Sequence, residues 1–550
     1  MRFSRLRRHS PGLLVATALA GVAALVGTTV HQARPAEAVT AVGVEDDGLD
    51  CPVAATPTAS KSLLPDPFTR IDGTRVAAAA DWRCRRAEIR ELAERTVYGQ
   101  KPPRPASVTG SVTSSRITVN VGDQGRSASF SAGVELPSGT GPFPAVVVYG
   151  GFGADTATIK ASGVAVISYD PYAVGAENTP RTNKQGAFYT LYGSSSSTGL
   201  LMAWAWGVSR IIDVVEQSGG SVLKADATGV TGCSRFGKGA FVAGAFDQRI
   251  ALTMPIESGT AGVPIWRGVP GESGSEPLTN AYNGQPWFGD AFAPYVGNPT
   301  GLPVDTHEIV GMVAPRGLFV MDNPHIDWLG ARSGSVGALG GAEVYKALGA
   351  GGNISYWSDV QDGTHCASRA EWRAPLQQNL AKFLSGTGSS SGVFRIAANK
   401  AGNLGQWRDW QTPVLTGGGG TTSGTTSGTT TGTTSGTSTG TTTGGTTGGG
   451  DPGAVCTATH RTVNSWQGGY QGEVTVTNSG SGTLNSWTVI LPLPAGQTVS
   501  SLWSGQNTGT TGTVTVRNAS WNGTLGAGAS TTFGFTVTGG TTAPTGLTCA

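Results

Sequence analysis

Apolar and polar positions follow two different rhythms along this chain. Between about residues 48 and 412, short runs rich in Val, Ile, Ala and aromatic residues (145–149, 164–169, 227–232, 250–256, 318–322 and 354–358) alternate with stretches of helical period (199–217, 238–246, 341–348 and 375–384). The runs are apolar throughout rather than at every second position, which marks strands buried on both faces. Strand–helix alternation of this kind predicts a mostly parallel sheet covered by helices on both sides, a three-layer α/β sandwich. Ligands bind such sheets beyond the carboxyl ends of the strands, so functional residues are expected directly after strands. From about 453 to 550 the rhythm changes. Short alternating Val/Thr strands, such as 473–477 and 512–516, recur between turn residues without helical period, and they predict an all-β sandwich.

Between the two lies a tract, 417–450, made only of Gly, Ser and Thr. It has nothing to bury and reads as a flexible linker, bounded at about 413–452, that holds one module near the other's target. The chain begins with Arg2, Arg5, Arg7 and Arg8, continues with an uncharged apolar run over 13–26 and offers Ala36-Glu37-Ala38 for cleavage. This is the pattern of an export signal over 1–38; the run is short of the ~20 residues a spanning helix needs. A net charge of +2 gives no electrostatic footprint for nucleic acid or an anionic membrane and leaves an uncharged partner such as a polysaccharide. Export makes disulfides the default for the six cysteines, and their positions suggest three pairs: Cys51 with Cys84, Cys456 with Cys549, and the remaining Cys233 with Cys366. No C-x-x-C spacing occurs, so zinc is not expected. Asn518-Ala519-Ser520 and Asn522-Gly523-Thr524 match glycosylation acceptors.

The strongest local signal runs from Val230 to Ala240, where Gly232-Cys233-Ser234-Arg235-Phe236-Gly237-Lys238 joins a strand to a Gly/Ala-rich helix. A serine on so sharp a turn is lifted above the sheet, small neighbours let strand and helix close up, and the helix N-terminus supplies N–H donors for a developing oxyanion. Phe236 takes the second Gly position of G-x-S-x-G, and an ordinary N-cap serine is the competing reading. A nucleophilic serine needs a base. His365, in the loop after the last strand run, fits the chain order Ser, acid, His of the α/β-hydrolases better than His307 or His325. Two carboxylates lie at strand ends between them, Glu257 and Asp322, and spacing does not choose between the two. Cys233 and Cys366 adjoin Ser234 and His365, so a bridge between them would hold both loops side by side. Oxyanion donors are expected from the N–H of Arg235 and from Gly150-Gly151-Phe152-Gly153, which follows the 145–149 run.

Together these residues resemble the glucuronoyl esterases, carbohydrate esterase family 15. The matching stretches are Gly232 to Ala240, Glu257-Ser258-Gly259 with Trp266-Arg267, Pro286-Trp287-Phe288, Ala314 to Val320, Ile326-Asp327-Trp328-Leu329-Gly330, and His365-Cys366. The resemblance implies hydrolysis of esters between glucuronic or 4-O-methylglucuronic acid of xylan and lignin alcohols, with Ser234 as nucleophile, His365 as base, Glu257 as acid and Arg235 assisting the oxyanion. It implies sugar contacts from Lys238, Trp328 and Glu276, the Cys51–Cys84 and Cys233–Cys366 bridges, and no need for a metal or cofactor. The segment 453–550 resembles carbohydrate-binding modules of family 2. By that resemblance Trp466, Trp503 and Trp521 form an exposed strip for cellulose, with xylan the second choice, while Trp487 belongs to the core. Two other readings stay open: an acetyl xylan or feruloyl esterase with the same triad, and a carbohydrate-binding protein with a vestigial serine site.

Overall fold

The computed structural model describes residues 44–54, 61–388, 392–416, 456–466, 468–503, 505–518 and 522–550. The expected export signal and the Gly/Ser/Thr tract at 417–450 lie outside the described residues. Among those residues no helix is long and apolar enough to cross a membrane.

A ten-stranded mixed sheet organises the first region. Its strands are β1 Ser107–Val112, β2 Arg116–Asp123, β3 Arg126–Glu135, β4 Phe143–Tyr149, β5 Ala165–Tyr169, β6 Leu223–Cys233, β7 Ile250–Ile256, β8 Gly317–Met321, β9 Ile354–Ser358 and β10 Phe394–Ile396. They lie in the order β1-β2-β3-β5-β4-β6-β7-β8-β9-β10. From β5 to β10 every pairing is parallel, as the apolar runs predict, whereas β1, β2 and β3 form an antiparallel arm that meets β5. The arm escapes the sequence reading because it lacks continuous apolar runs: in β2 the buried residues Ile117, Val119 and Val121 stand only at every second position, between polar or small ones.

The helices are α1 Trp82–Ala93, α2 Thr156–Ala161, α3 Ala187–Tyr192, α4 Leu200–Gln217, α5 Arg235–Phe246, α6 Thr306–Val313, α7 Ala331–Ala347 and α8 Ala370–Phe383. Alternate residues of β4 divide between two cores. Ala145, Val147 and Tyr149 join the cluster containing α4, α5 and α6, and Val146 and Val148 join the one with Ile159 of α2 and Trp372, Leu376 and Leu380 of α8. This division is what a three-layer sandwich requires. Helix α7 starts ten residues before the 341–348 expected. Its Gly-rich first half hides the helical period, yet those glycines are needed: a Cβ on Gly337 would stand 2.2 Å from the Val263 carbonyl oxygen, and one on Gly341 would stand 2.1 Å from Val310. Helix α8 begins ahead of the expected Pro375, and burial of Trp372 in its first turn outweighs the bond that proline cannot donate.

The C-terminal region consists of two four-stranded antiparallel sheets, as its alternating pattern predicts. One holds β11 Cys456–Trp466, β12 Gly469–Asn478, β14 Thr498–Trp503 and β17 Ser530–Thr538; the other holds β13 Thr488–Pro492, β15 Gly505–Thr508, β16 Thr513–Asn518 and β18 Thr548–Cys549. Trp487 is buried, stacks on Phe533 at 5.6 Å and donates its indole N–H to the Asn522 carbonyl at 2.8 Å. The two candidate glycosylation acceptors differ in setting, Asn518 being half-buried. Asn518 Oδ1 accepts the Trp487 N–H at 3.1 Å, and Asn522 is buried. The side chains of Trp466 and Trp503, and Trp521 altogether, lie outside the described residues.

Candidate active site

The carboxyl ends of β4, β6, β7, β8 and β9 converge on one spot, and the disulfide between Cys233 and Cys366 marks it. Their Cα atoms are 5.8 Å apart. A Cβ on Gly153 would stand 2.4 Å from Cys233 Cβ and 3.1 Å from Cys366 Cβ, so the Gly-rich loop after β4 rests on the same bridge. Ser234, after β6, and His365, after β9, therefore sit on adjacent turns. The other two expected bridges, Cys51–Cys84 and Cys456–Cys549, are also present.

Ser234 adopts φ +59° and ψ −126° at the junction of β6 and α5, a conformation that a non-glycine residue reaches at a cost of about 1–3 kcal/mol. Its backbone N–H donates to the Ile256 carbonyl at 2.9 Å, which fixes the turn against β7. Gly232 lets the turn close, because a Cβ there would stand 2.7 Å from the Phe236 carbonyl oxygen. The hydroxyl makes no capping bond to the helix, so the N-cap role that competes with nucleophile is not what this serine performs. It is half-buried at the N-terminus of α5, where first-turn N–H groups lack intrahelical partners.

Glu257 directly follows β7 and is fully buried, with φ +44°. One carboxylate oxygen, Oε2, accepts His365 Nδ1 at 2.7 Å and the Cys366 N–H at 2.7 Å. The other, Oε1, accepts Asn323 Nδ2 at 3.3 Å and Arg369 Nη2 at 3.4 Å. With Nδ1–H donated to Glu257, the half-buried imidazole has Nε2 left to receive a proton. Asp322, the rival acid, is buried after β8 and turned elsewhere: it accepts the Tyr356 hydroxyl at 2.9 Å and the Asn323 N–H at 2.9 Å. Burial pushes its carboxyl up to about 6. His307 is a core residue, hydrogen-bonded to the Pro65 carbonyl at 2.9 Å and pushed down to about 4 by burial, and His325 is exposed.

The remaining expected residues form a polar rim. Arg235 is partly exposed and donates to Glu177 at 2.7 Å. Glu177 is buried and also accepts Trp287 Nε1 at 2.6 Å and the Tyr172 hydroxyl at 2.9 Å. The Lys238 ammonium is buried, donates to the Ser258 carbonyl at 2.8 Å, lies 3.6 Å from Glu276 and sits 5.0 Å from the centre of the Trp287 ring. Burial holds it below the ordinary lysine range, and Glu276 opposes that shift. The Glu276 N–H donates to the Trp328 carbonyl at 3.0 Å, and the half-exposed Trp328 ring stands edge-on to His365 at 5.8 Å. Sequence reasoning gave no role to Glu177, Asn323 or Arg369; Phe152, within the expected oxyanion loop, is 47% exposed and packs against Phe236 at 5.4 Å. Glu177 had a weak signal in its place after β5; Arg369 had none. The side chains of Cys233, Glu257, His365 and Cys366 crowd within 4.8 Å of one another, but they are no metal donor set: both sulfurs are spent in the disulfide, and Glu257 and His365 bond each other.

Residues 119–349 match the family model described as glucuronyl esterase, fungi, and residues 456–550 match that of the cellulose binding domain. The 4-O-methyl-glucuronoyl methylesterase of Hypocrea jecorina is 39% identical over 368 residues, 65% of this chain and 77% of that protein. The protein of the same name from Podospora anserina is 40% identical over 378 residues, 67% of this chain and 76% of its own length. Among solved structures, the glucuronoyl esterase catalytic domain of Hypocrea jecorina superposes with a TM-score of 0.62 at 37% identity, covering 66% of this chain and 99% of that one. A serine-to-alanine variant of the Sporotrichum thermophile enzyme, in complex with methyl 4-O-methyl-β-D-glucopyranuronate, gives 0.62 at 38% identity over 66% and 99% of the two chains. This chain belongs to the glucuronoyl esterases of carbohydrate esterase family 15, which are carboxylic ester hydrolases, and it carries a family 2 carbohydrate-binding module at its C-terminal end.

Proposed function

We propose that the protein is an exported serine esterase that hydrolyses esters joining glucuronic or 4-O-methylglucuronic acid on xylan to lignin alcohols, with a catalytic domain over 48–412, a linker over 413–452 and a binding module over 453–550 that directs it to cellulose. The observation that carries the chemistry is the 2.7 Å bond from His365 to the fully buried Glu257, beside a serine held on a strained turn at a helix N-terminus. Glu257 fixes the tautomer and steadies the imidazolium as it forms. His365 Nε2 takes the proton from Ser234, and Ser234 Oγ attacks the ester carbonyl. The oxyanion forms near the N–H groups that open α5, the Gly150–Gly153 loop and the Arg235 guanidinium. The alcohol leaves with the proton from His365, and water, deprotonated by the same imidazole, frees the uronic acid from the acyl-enzyme. Lys238, Glu276 and Trp328 supply donors, an acceptor and an apolar face suited to a hydroxyl-rich acyl group. The uronate methyl ester held in the Sporotrichum thermophile complex supports the choice of acyl group, and the three disulfides support export.

The test compares benzyl glucuronate with benzyl galacturonate and an acetylated sugar. The glucuronate is expected to be the preferred substrate, and Ser234→Ala to lower its turnover by at least ~10³-fold with cellulose pull-down unchanged. Turnover that survives in Ser234→Ala refutes the nucleophile; preference for the acetylated sugar refutes the substrate class.

A further inference from the structure

Glu257 presents a chemical problem that the triad alone does not solve. A carboxylate with no exposed surface, paired only with an imidazole that is neutral for most of the cycle, pays a large desolvation cost that a fixed counter-charge would offset. Arg369 lies at the start of α8, three residues after the disulfide, with a side chain 2% exposed. Its Nη2 reaches Glu257 Oε1 at 3.4 Å and the Thr364 carbonyl at 2.6 Å, its Nη1 bonds Asp362, and its guanidinium lies 5.2 Å from the centre of the Trp372 ring. Asn323 spans the same gap from the other side, donating to Glu257 Oε1 at 3.3 Å and to the Asp362 carbonyl at 3.1 Å. The backbone on either side of His365 is thus tied to the acid: Asp362 and Thr364 through these two donors, and Cys366 through its own N–H.

We propose that Arg369 is a positioning residue of the esterase reaction, whose buried positive charge keeps Glu257 ionised while its fork locks the His365 loop against that carboxylate. This rests on the triad reading of Ser234, His365 and Glu257. The charged and titratable groups around the acid are His365 and Arg369 from the segments that follow β9, the largely exposed Asp362 beyond Arg369, and Asp322 at the end of β8, whose buried carboxyl is raised and partly protonated near neutrality. Lys238 is tied to the Ser258 carbonyl next door. Arg369 is the one fixed cation paired with Glu257 among the described residues. Removing it takes a fixed positive charge away from the Glu257–His365 pair, so the pair as a unit holds its protons to higher pH.

The experiment measures kcat and kcat/KM against pH on benzyl glucuronate for Arg369→Met, Arg369→Lys and Asp362→Asn, with thermal unfolding of each. Arg369→Met is expected to lower kcat by ~10–100-fold with KM within about threefold, and to move the acid limb of kcat/KM up by ~0.5–1 unit. Arg369→Lys keeps the charge and loses the fork, so the limb returns to its native position while kcat recovers only in part. Asp362→Asn changes a largely exposed side chain, keeps the fold and moves the limb the opposite way, so the proposal stays testable if Arg369→Met fails to fold. An acid limb unmoved in the folded variants, or a lysine variant no better than the methionine one, overturns the proposal. Ser234→Ala run alongside separates the two readings: turnover surviving there sinks the triad, whereas an inactive Ser234→Ala with an unmoved limb in the Arg369 and Asp362 variants sinks only the role of Arg369.

Discussion

Two neighbouring strands, β7 and β8, each end in a buried carboxylate, and the two ends are put to different use. Glu257 has both oxygens occupied by groups from the segments that follow β8 and β9, including an imidazole, a guanidinium and a backbone N–H. Asp322 has a tyrosine hydroxyl from β9 and the N–H of its own neighbour. The first environment stabilises a negative charge and couples it to a base; the second offers no cation and leaves desolvation as the largest influence, which is why the carboxyl is pushed up to about 6. Position in the topology does not single out a strand-end carboxylate for the proposed triad; what reaches it from the other loops does. The loop after β8 instead serves the acid next door through Asn323 and frames the rim with Trp328.

The largest effect that can break this comparison is Glu257→Gln. It keeps size and removes the charge that fixes the histidine tautomer, and kcat on benzyl glucuronate is expected to fall ~10³–10⁴-fold with KM little changed. A loss under tenfold would hand the acid's role to Asp322. Next in size is the double substitution of Cys233 and Cys366 by Ser, which unties the Glu257 side of the site. The bridge closes a sequence separation of 133 residues, and its loss is expected to cost ~2–4 kcal/mol in denaturant unfolding and to lower activity as well. Trp328→Ala examines the rim after β8 and should raise KM about tenfold with kcat within about threefold; a fall in kcat alone would make the ring part of proton transfer rather than of binding. The smallest change in turnover is expected for Asp322→Asn, with kcat within about threefold of native. Its signature is in stability. The folded-state pKa of about 6 lies above the unfolded value of 3.8, so Asp322 contributes stability that is full below about 3.8 and is lost as pH rises through about 6. In Asp322→Asn that decline between pH 4 and 6 should shrink in thermal unfolding, while Glu257→Gln, which removes only a lesser source of the shift, narrows it in part.

The rhythm of apolar residues was enough to place the strands β4 to β9, helices α4 and α5, the change to a sandwich at the C-terminus and the sharp turn at Ser234. These features are local: burial on both faces imposes continuous apolar runs, and a serine turn that closes a strand onto a helix demands small residues at fixed offsets. Three cysteine pairs were also readable, since export and position leave few sensible partners. The antiparallel arm β1–β3 was hidden because its apolar residues alternate with polar or small ones instead of forming continuous runs, and the first half of α7 because glycines that permit close approach mask its helical period. Within the site, sequence alone named two possible acids, and only the resemblance to a known family preferred one. It gave no sign of Asn323 or Arg369 and only a weak one of Glu177. Which carboxylate meets the imidazole, which guanidinium neutralises it and which glutamate holds Arg235 depend on side chains from segments up to 112 residues apart converging on a few ångströms. One-dimensional patterns record what each segment must bury, but the pairing of charges is decided where loops from different strands meet, and there only the tertiary structure sets the distance.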